Sequence, residues 1–409
     1  MKKQFLSPTT KGKRLYITFD LTDNFSSAAK MVANCRNVAL RGTKVVNTKG
    51  IVAHSYTGKV LQLVGHMQGH TFLLTPQGIG ALADNTFTHY YDLQSTHLAF
   101  CHHQGMAVFS SSQNGTFTKE EDLDYISSSS PQGYDSIASA GGRVWGVEGR
   151  LLHCTDVATD VVWEKGETIN MPEHCTLVAS SGNKLYAMGE EVFLVETDGD
   201  LVEIKIKKVG SYGKVTSAVN SKHNGKLYFA TTSGLYVMEH NGAHMVATWP
   251  SGVADVQLVA NSTGIIANLI YASTSDTHLV EYHIPTDSFV SVRHVQVQGI
   301  LQAEQLLAVQ NGVLTQCTSD YAFSQFIMDT PLPYQGKTHF LRNLYVNTAH
   351  DLDVVLTTEK GSHTYKLAGK VGVQAIPLCG KCKSLQLLLR GTIKTDVSHL
   401  ALEVVCYDI

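Results

Sequence analysis

Any chemistry in this chain has to come from its cysteine, histidine and carboxylate clusters. The sharpest is CGKC, with Cys379 and Cys382. A zinc site needs four ligands and one such knuckle supplies two. His399 and Cys406 are the further candidates nearby in sequence, and neither carries the spacing of a second knuckle. A redox dithiol wants a helix N-terminus, whereas strand-like runs flank this pair. Gly380-Lys381 reads more naturally as a two-residue hairpin turn, with zinc and redox roles as the alternatives. The chain has 19 histidines, densest in GHMQGH (65–70) and HLAFCHHQG (97–105). His66 and His70 would share a face only on a helix, and KVLQLV and TFLL around them read as strands. His102 and His103 fall beside a hairpin turn, where exposed or hydrogen-bonded imidazoles are the ordinary outcome. Glu120, Glu121, Asp122 and Asp124 occupy one solvated segment, TKEEDLDY, without the spacing of an EF-hand. There is no GxSxG elbow and no Walker loop. The expectation is therefore no catalytic, cofactor-binding or metal-binding residue, no cofactor, and no enzymatic activity.

The bulk numbers agree with a folded, strand-rich chain. Its 409 residues, 43% of them hydrophobic, are enough to bury a large core, in two domains rather than one. The charged fraction of 16% lies below the roughly 25% of ordinary globular proteins. Glycine is frequent (34) and proline scarce (9), which suits many short strands and turns. A net charge of -3 exerts no global pull on nucleic acid or membrane, although Lys2, Lys3, Lys11, Lys13 and Arg14 form a local basic start. No apolar run reaches about 18 residues, so no membrane span is expected. No signal peptide is read at the start, and the eight cysteines are expected as free thiols made in a reducing cytoplasm.

The elements that would position these groups repeat. NGKLYFATTSGLYVME (224–239) pairs two short apolar runs across a polar turn, and neither run alternates as a strand with one wet face would. The same shape recurs in SGNKLYAMGEEVFLVE, GGRVWGVEGRLLHC, IIANLIYASTSDTHLVEYH, AEQLLAVQNGVLTQC and STHLAFCHHQGMAVFS, and more loosely in GHTFLLTPQGIGALAD. Aligning Phe100, Trp145, Tyr186, Tyr228, Tyr271 and Leu307 gives spacings of 45, 41, 42, 43 and 36 residues. A period near 40 with several short strands per unit predicts a β-propeller of about six blades, five to seven allowed. The aromatic series is read as packing between blades, since burying one aromatic ring is worth a few kcal/mol at about 25 cal/mol per Å². ISSSSPQGYD is read as a flexible crossing between blades.

The ends do not repeat. Residues 1–54 read as an arm with a strand (RLYITFDLT), a short helix capped by Asn24, Ser26 or Ser27, and a hairpin turning at Arg41-Gly42-Thr43-Lys44. Residues 55–330 are assigned to the propeller. TPLPYQG (330–336) marks a boundary, and the strand-like runs of 331–409 predict a β-sandwich, which RLYITFDLT could complete. The fold class is thus all-β.

The stretch A…NCRNVALRGTKVVNTKG (33–50) resembles the opening of bacteriophage tail proteins of the nozzle or tubular-hub type, and GSHTYKLAGKVGVQAIPLCGKCKSLQLLLRGTIKTDVSHLALEVVCYDI resembles their ending. The resemblance implies a virion structural protein of a phage tail or head-to-tail assembly, made in the host cytoplasm. Its partners would be copies of itself in a ring, with a hexamer the expected order, together with other tail or connector proteins. DNA would pass through the channel without sequence-specific binding. The alternatives are a cytoplasmic propeller scaffold that binds a protein partner, or a carbohydrate-active propeller with carboxylates or histidines gathered at one channel mouth.

Overall fold

A computed structural model describes residues 13–120, 125–156, 161–197, 201, 203–240, 242–321, 324–330, 332, 338–391 and 396–406. Strand accounts for 67% of the structure, with one α-helix, so the chain is all-β. It divides into two compact units. One holds residues 51–287 and 295–317, the other residues 1–50, 288–294 and 318–409.

The first of these units is a succession of antiparallel meanders. Gln62–Met67, His70–Thr75, Gly78–Ala83 and Thr86–Asp92 form the first sheet, and Ala99–His103, Met106–Ser111, Gly115–Glu120 and Ser127–Ser130 the second. The third has six strands: Ile137–Ala140, Arg143–Cys154, Thr168–Ser181, Lys184–Gly189, Glu191–Thr197 and Ile204–Ser211. Its long strand Thr168–Ser181 pairs through Thr168 to Asn170 with one neighbour and through Cys175 to Ser181 with the other. The fourth sheet is Val215–Asn220, Leu227–Thr231, Gly234–Glu239 and Gly242–Thr248. The fifth contains Val253–Ala260, Gly264–Tyr271 and Thr277–His283, and the sixth Gly299–Gln302, Leu306–Gln310 and Val313–Tyr321. Lys49–Ala53 adds to the edge of that sixth sheet, and His54 N–H continues the pairing to Leu314 O at 2.8 Å.

Why the strands lack a wet face is now visible. Every residue of Leu227–Thr231 is buried, and the cover is the neighbouring sheet. Tyr186, Met188 and Val192 of the third sheet pack with Leu227, Phe229, Tyr236 and Met238 of the fourth. Phe229 stacks on Tyr236 with ring centroids 5.1 Å apart. Equivalent clusters join the first sheet to the second around Phe72, Phe109 and Phe117. Leu63, Leu73 and Leu82 of the first sheet meet Leu307, Val309 and Leu314 of the sixth. The packing is close enough that Gly65 lies against the Phe100 ring, where an added Cβ would stand 2.3 Å from a ring atom.

Polar bonds between sheets follow the same spacing. Gln62 exchanges two bonds with the backbone of Leu98, at 3.0 and 2.8 Å. His103 Nδ1 meets Ser139 Oγ at 2.9 Å. Ser136 Oγ accepts from Val178 N–H at 2.9 Å and Ser217 Oγ from Leu258 N–H at 3.1 Å. Gln257 donates to Gln298 O at 3.3 Å. The first strand of each meander contacts that of the next, except that in the third sheet it is Thr168–Ser181 that contacts Val215–Asn220, and Gly299–Gln302 contacts Gln62–Met67.

Two expectations need correction here. Ser127–Ser130 is not a flexible crossing but the outer strand of the second sheet, with Thr116 opposite Ser130. The serines hold it there: Ser130 Oγ donates to the Glu164 carboxylate at 3.1 Å, and Ser129 Oγ to Thr116 O at 3.2 Å. Phe100, aligned with residues on second strands, lies on a first strand, and the second strand of its sheet is Met106–Ser111.

In the other unit, Lys13–Thr18, His399–Cys406, His339–Asn347 and Val373–Cys382 form a four-stranded sheet in that order. A second sheet orders Cys35–Arg36, Ser324–Thr330, Leu385–Gly391, Leu352–Thr358 and Gly361–Leu367. The N-terminal strand thus completes the C-terminal sheet. The expected helix is Ala28–Asn34, with Ser27 Oγ accepting from Lys30 N–H at 3.2 Å. Asn24 Nδ2 instead donates to Ile327 O at 2.7 Å. The hairpin turns at Gly42 as read, and pairs Val38–Arg41 with Lys44–Asn47. TPLPYQG lies outside the described residues except for Thr330 and Leu332.

His399–Cys406 is paired along both edges and buried from Leu400 to Cys406, and its buried residues include Glu403, only 3% exposed. Its carboxylate accepts from Asn343 at 2.6 Å and Tyr345 Oη at 3.0 Å, and pairs with Arg14 at 3.0 Å. These bonds, Asn343's first, hold Glu403 below the ordinary glutamate range.

Two predictions follow from this packing. A lowered carboxylate stabilises above its unfolded pKa, and the contribution is lost as pH falls through the folded value. Glu403→Gln should therefore cost about 1–2 kcal/mol in urea melts at pH 7, and the gap from the parent should close towards pH 3. Gly65→Ala should cost about 1–3 kcal/mol through overpacking, and adding Phe100→Leu should recover part of it.

Candidate functional site

The turns between neighbouring strands of the meanders have His66, His70, His102 and His103 beside them. Four are two-residue turns rich in glycine: Gln68-Gly69, Gln104-Gly105, Gly141-Gly142 and Gly182-Asn183. Gly69 and Gly105 adopt φ of 79° and 83°, which is why glycine stands there. The turn after Val215–Asn220 is longer. Ser221 Oγ accepts from His223 N–H at 3.1 Å and Asn224 N–H at 3.3 Å, and Asn224 Oδ1 accepts from Lys226 N–H at 3.1 Å. These bonds raise an ordered loop carrying Lys222, His223 and Lys226. Ser181 Oγ donates to Gly225 O at 3.2 Å, tying it to the neighbouring turn.

His66 and His70 stand on either side of the first turn, and His66 Nδ1 meets Thr71 Oγ1 at 3.1 Å. Burial holds His66 below the ordinary imidazole range; Glu304 acts in the opposite sense, and Lys222 and His70 act with burial. Burial and the nearby His102 lower His103 likewise. The histidines therefore sit as strand ends and turn partners. A polar cavity of about 540 Å³ opens there, lined by His54, His66, Asp84, Glu304, Gln305 and Gln316.

A second cavity of about 750 Å³ lies between the third and fourth sheets. Tyr186, Leu227 and Met238 form its apolar floor, and Lys184, Lys226 and His244 stand on its rim. Lys226 Nζ bonds Glu239 at 2.7 Å, and this bond holds Glu239 below the ordinary range. Lys184 has no ion pair among the described residues. By sequence Tyr186 stands out only as packing between sheets, and the two lysines do not stand out. The signal was present, because Lys184 and Lys226 are separated by 42 residues, one repeat.

CGKC is not a hairpin turn. Val373–Cys382 runs through it as one strand, with Gly380 opposite Leu341 and Cys382 opposite His339, and a bulge just before, between the Leu341 and Asn343 pairings. His399 lies at the far end of its strand, opposite Asn347, and is no partner. The neighbour that sequence spacing could not show is His339, which faces Cys382 on one side and Cys406 on the other. His339 is fully buried with neither ring nitrogen hydrogen-bonded. A row across three strands sets the two cysteines about 10 Å apart, too far to share one ion with the imidazole between them. No three His, Cys, Asp or Glu side chains are placed to hold a metal among the described residues. The side chain of Cys379, and residues 121–124 of the acidic segment, lie outside the described residues.

No family model matches the chain, and no curated protein matches it. Solved structures do. The extracellular domain of the putative hybrid two-component system BT3049 from B. thetaiotaomicron is 11% identical with a TM-score of 0.50, over 80% of this chain and 49% of that one. The corresponding domain of BT4673 from the same organism is 11% identical with a TM-score of 0.46, over 80% and 47%. The computationally designed Ika8 protein is matched along its whole length at 9% identity, over 66% of this chain, with a TM-score of 0.43. The chain spans about half of the two natural domains, and at these identities the likeness concerns fold alone.

Burial raises the Cys35 thiol to about 12 and those of Cys175 and Cys382 to about 11. At pH 8 the native protein should leave these three unmodified by iodoacetamide for hours, and urea should open them within minutes. Peptide mass mapping would detect either result.

Proposed function

We propose that the meander unit is a closed β-propeller of seven blades, and that the chain is a structural subunit of a bacteriophage tail or head-to-tail assembly. The count of seven divides the six-stranded sheet at Thr168–Ser181 into two blades. Closure is supported by the leucine cluster between the sixth and first sheets. It is supported also by Ile51 to Ala53, which would supply the outer strand of the last blade from the start of the chain.

The observation that carries the functional reading concerns the two stretches resembling tail proteins. They lie far apart in sequence, yet Val45 and Val46 of the first pair with Val397 and Asp396 of the second. Lys44 Nζ approaches Asp396 at 3.9 Å. One folded unit therefore contains both likenesses. On this reading the subunit works through its interfaces, without catalysis, in a ring of its own copies. The hexamer is the order proposed, and DNA passes through without sequence-specific contact. It is made in the host cytoplasm and resides in the virion.

Mass photometry of the purified full chain, alone and with the tail or connector proteins encoded beside it, tests the assembly, and cryo-EM of the product counts subunits and blades. A ring of about six copies is expected. A chain that stays monomeric with every such partner overturns the tail reading and turns it to the scaffold alternative.

A further inference from the structure

We propose that the cleft between the third and fourth sheets is a docking site for an acidic peptide segment of a partner protein, one that carries an apolar anchor side chain. The inference goes beyond the tail reading and does not depend on it. The cleft combines two properties in about 750 Å³. Its floor is apolar, made by Tyr186, Leu227 and Met238, and is wide enough for a leucine- or tyrosine-sized side chain. Its rim is cationic, with Lys184 from one sheet and Lys226 from the next.

The two lysines differ in a way that points to the ligand. Lys226 is already bonded to Glu239 at 2.7 Å, and His244 Nδ1 stands 3.9 Å from the other Glu239 oxygen. Glu239 thus occupies the place of one carboxylate. Lys184 lacks such a partner among the described residues and is free to receive a second. Asn224, bonded to Tyr228 Oη at 3.2 Å, holds the loop carrying Lys226 in place, so the rim is ordered before any ligand arrives.

An acidic peptide suits this site better than a nucleic acid strand. Two lysines, one of them neutralised, form too small a cationic field for phosphate-backbone binding at physiological salt. A peptide uses both parts: its apolar side chain fills the floor and its flanking carboxylates meet Lys184 and, by displacing Glu239, Lys226.

The test uses the full chain and a fluorescein-labelled hexapeptide of four carboxylate residues around one leucine and one tyrosine, followed by anisotropy at about 50 mM salt. The peptide should bind, Lys184→Glu should weaken it at least about tenfold, and Glu239→Gln should tighten it a few-fold by releasing Lys226. Both side chains are exposed, and unchanged thermal melts would show that the fold is intact. A structural role for Glu239 alone would not produce tighter binding on its removal. The proposal is overturned by no binding to the parent, by equal binding in both variants, or by equal binding of a peptide with serine at both apolar positions. It is overturned also if an oligothymidylate of equal charge binds more tightly than the peptide.

Discussion

Strands buried on both faces cannot leave their sheet alone, and the architecture of the meander unit grows from that constraint. Leu227–Thr231 has no wet side at all. Each such strand needs apolar cover on both sides. The leucines of the first sheet find part of theirs in those of the sixth, where an uncovered face would expose a contiguous apolar patch. Aromatic rings fill most of the gaps. Where one is large, the opposing position is reduced to nothing, as at Gly65 beneath Phe100.

Between these apolar layers the inner strands carry small polar residues, and their bonds reach the next sheet instead of water. Gln62, Ser136, Ser217 and Gln257 each bond a neighbour about one repeat away. Such bonds add modestly to stability, but a buried amide or hydroxyl left without them would cost more than the bond gains. They make the spacing of the sheets specific where apolar contact alone would tolerate sliding. Trp145 shows both effects in one side chain: its ring is buried in the third sheet, and its indole N–H donates to Ala140 O at 2.9 Å.

The other unit follows a different rule, in which the two ends of the chain are made to meet. Lys13–Thr18 lies on His399–Cys406, and the buried Glu403 faces Arg14 across that pairing. Arg14 is largely exposed, so the ion pair itself contributes little; Asn343 and Tyr345 do most to hold the carboxylate. The strands of this unit alternate more clearly. Leu385, Leu387 and Leu389 are buried, whereas Gln386 and Arg390 are exposed, the mark of a sheet with one covered face.

Much of this was legible in the residues. Short apolar runs between glycine-rich turns indicated an all-β chain, their recurrence near 40 residues indicated stacked sheets, and Asn24, Ser26 and Ser27 indicated roughly where the helix starts, with Ser27 the cap. These are local or periodic properties, set by the side-chain alternation and turn chemistry of a few neighbouring residues. What depends on distant pairing was not legible. CGKC reads as a turn by composition and lies in a bulged strand because His339–Asn347 pairs along it. Phe100 matched the repeat by type, but which strand of the meander it occupies is settled by hydrogen bonding. The cleft of Lys184, Lys226 and Tyr186 exists only where two sheets pack face to face. Sequence by itself determined which apolar runs become strands and that they must be covered. Tertiary structure alone decided what covers them, since burial is shared by many apolar partners and register selects among them.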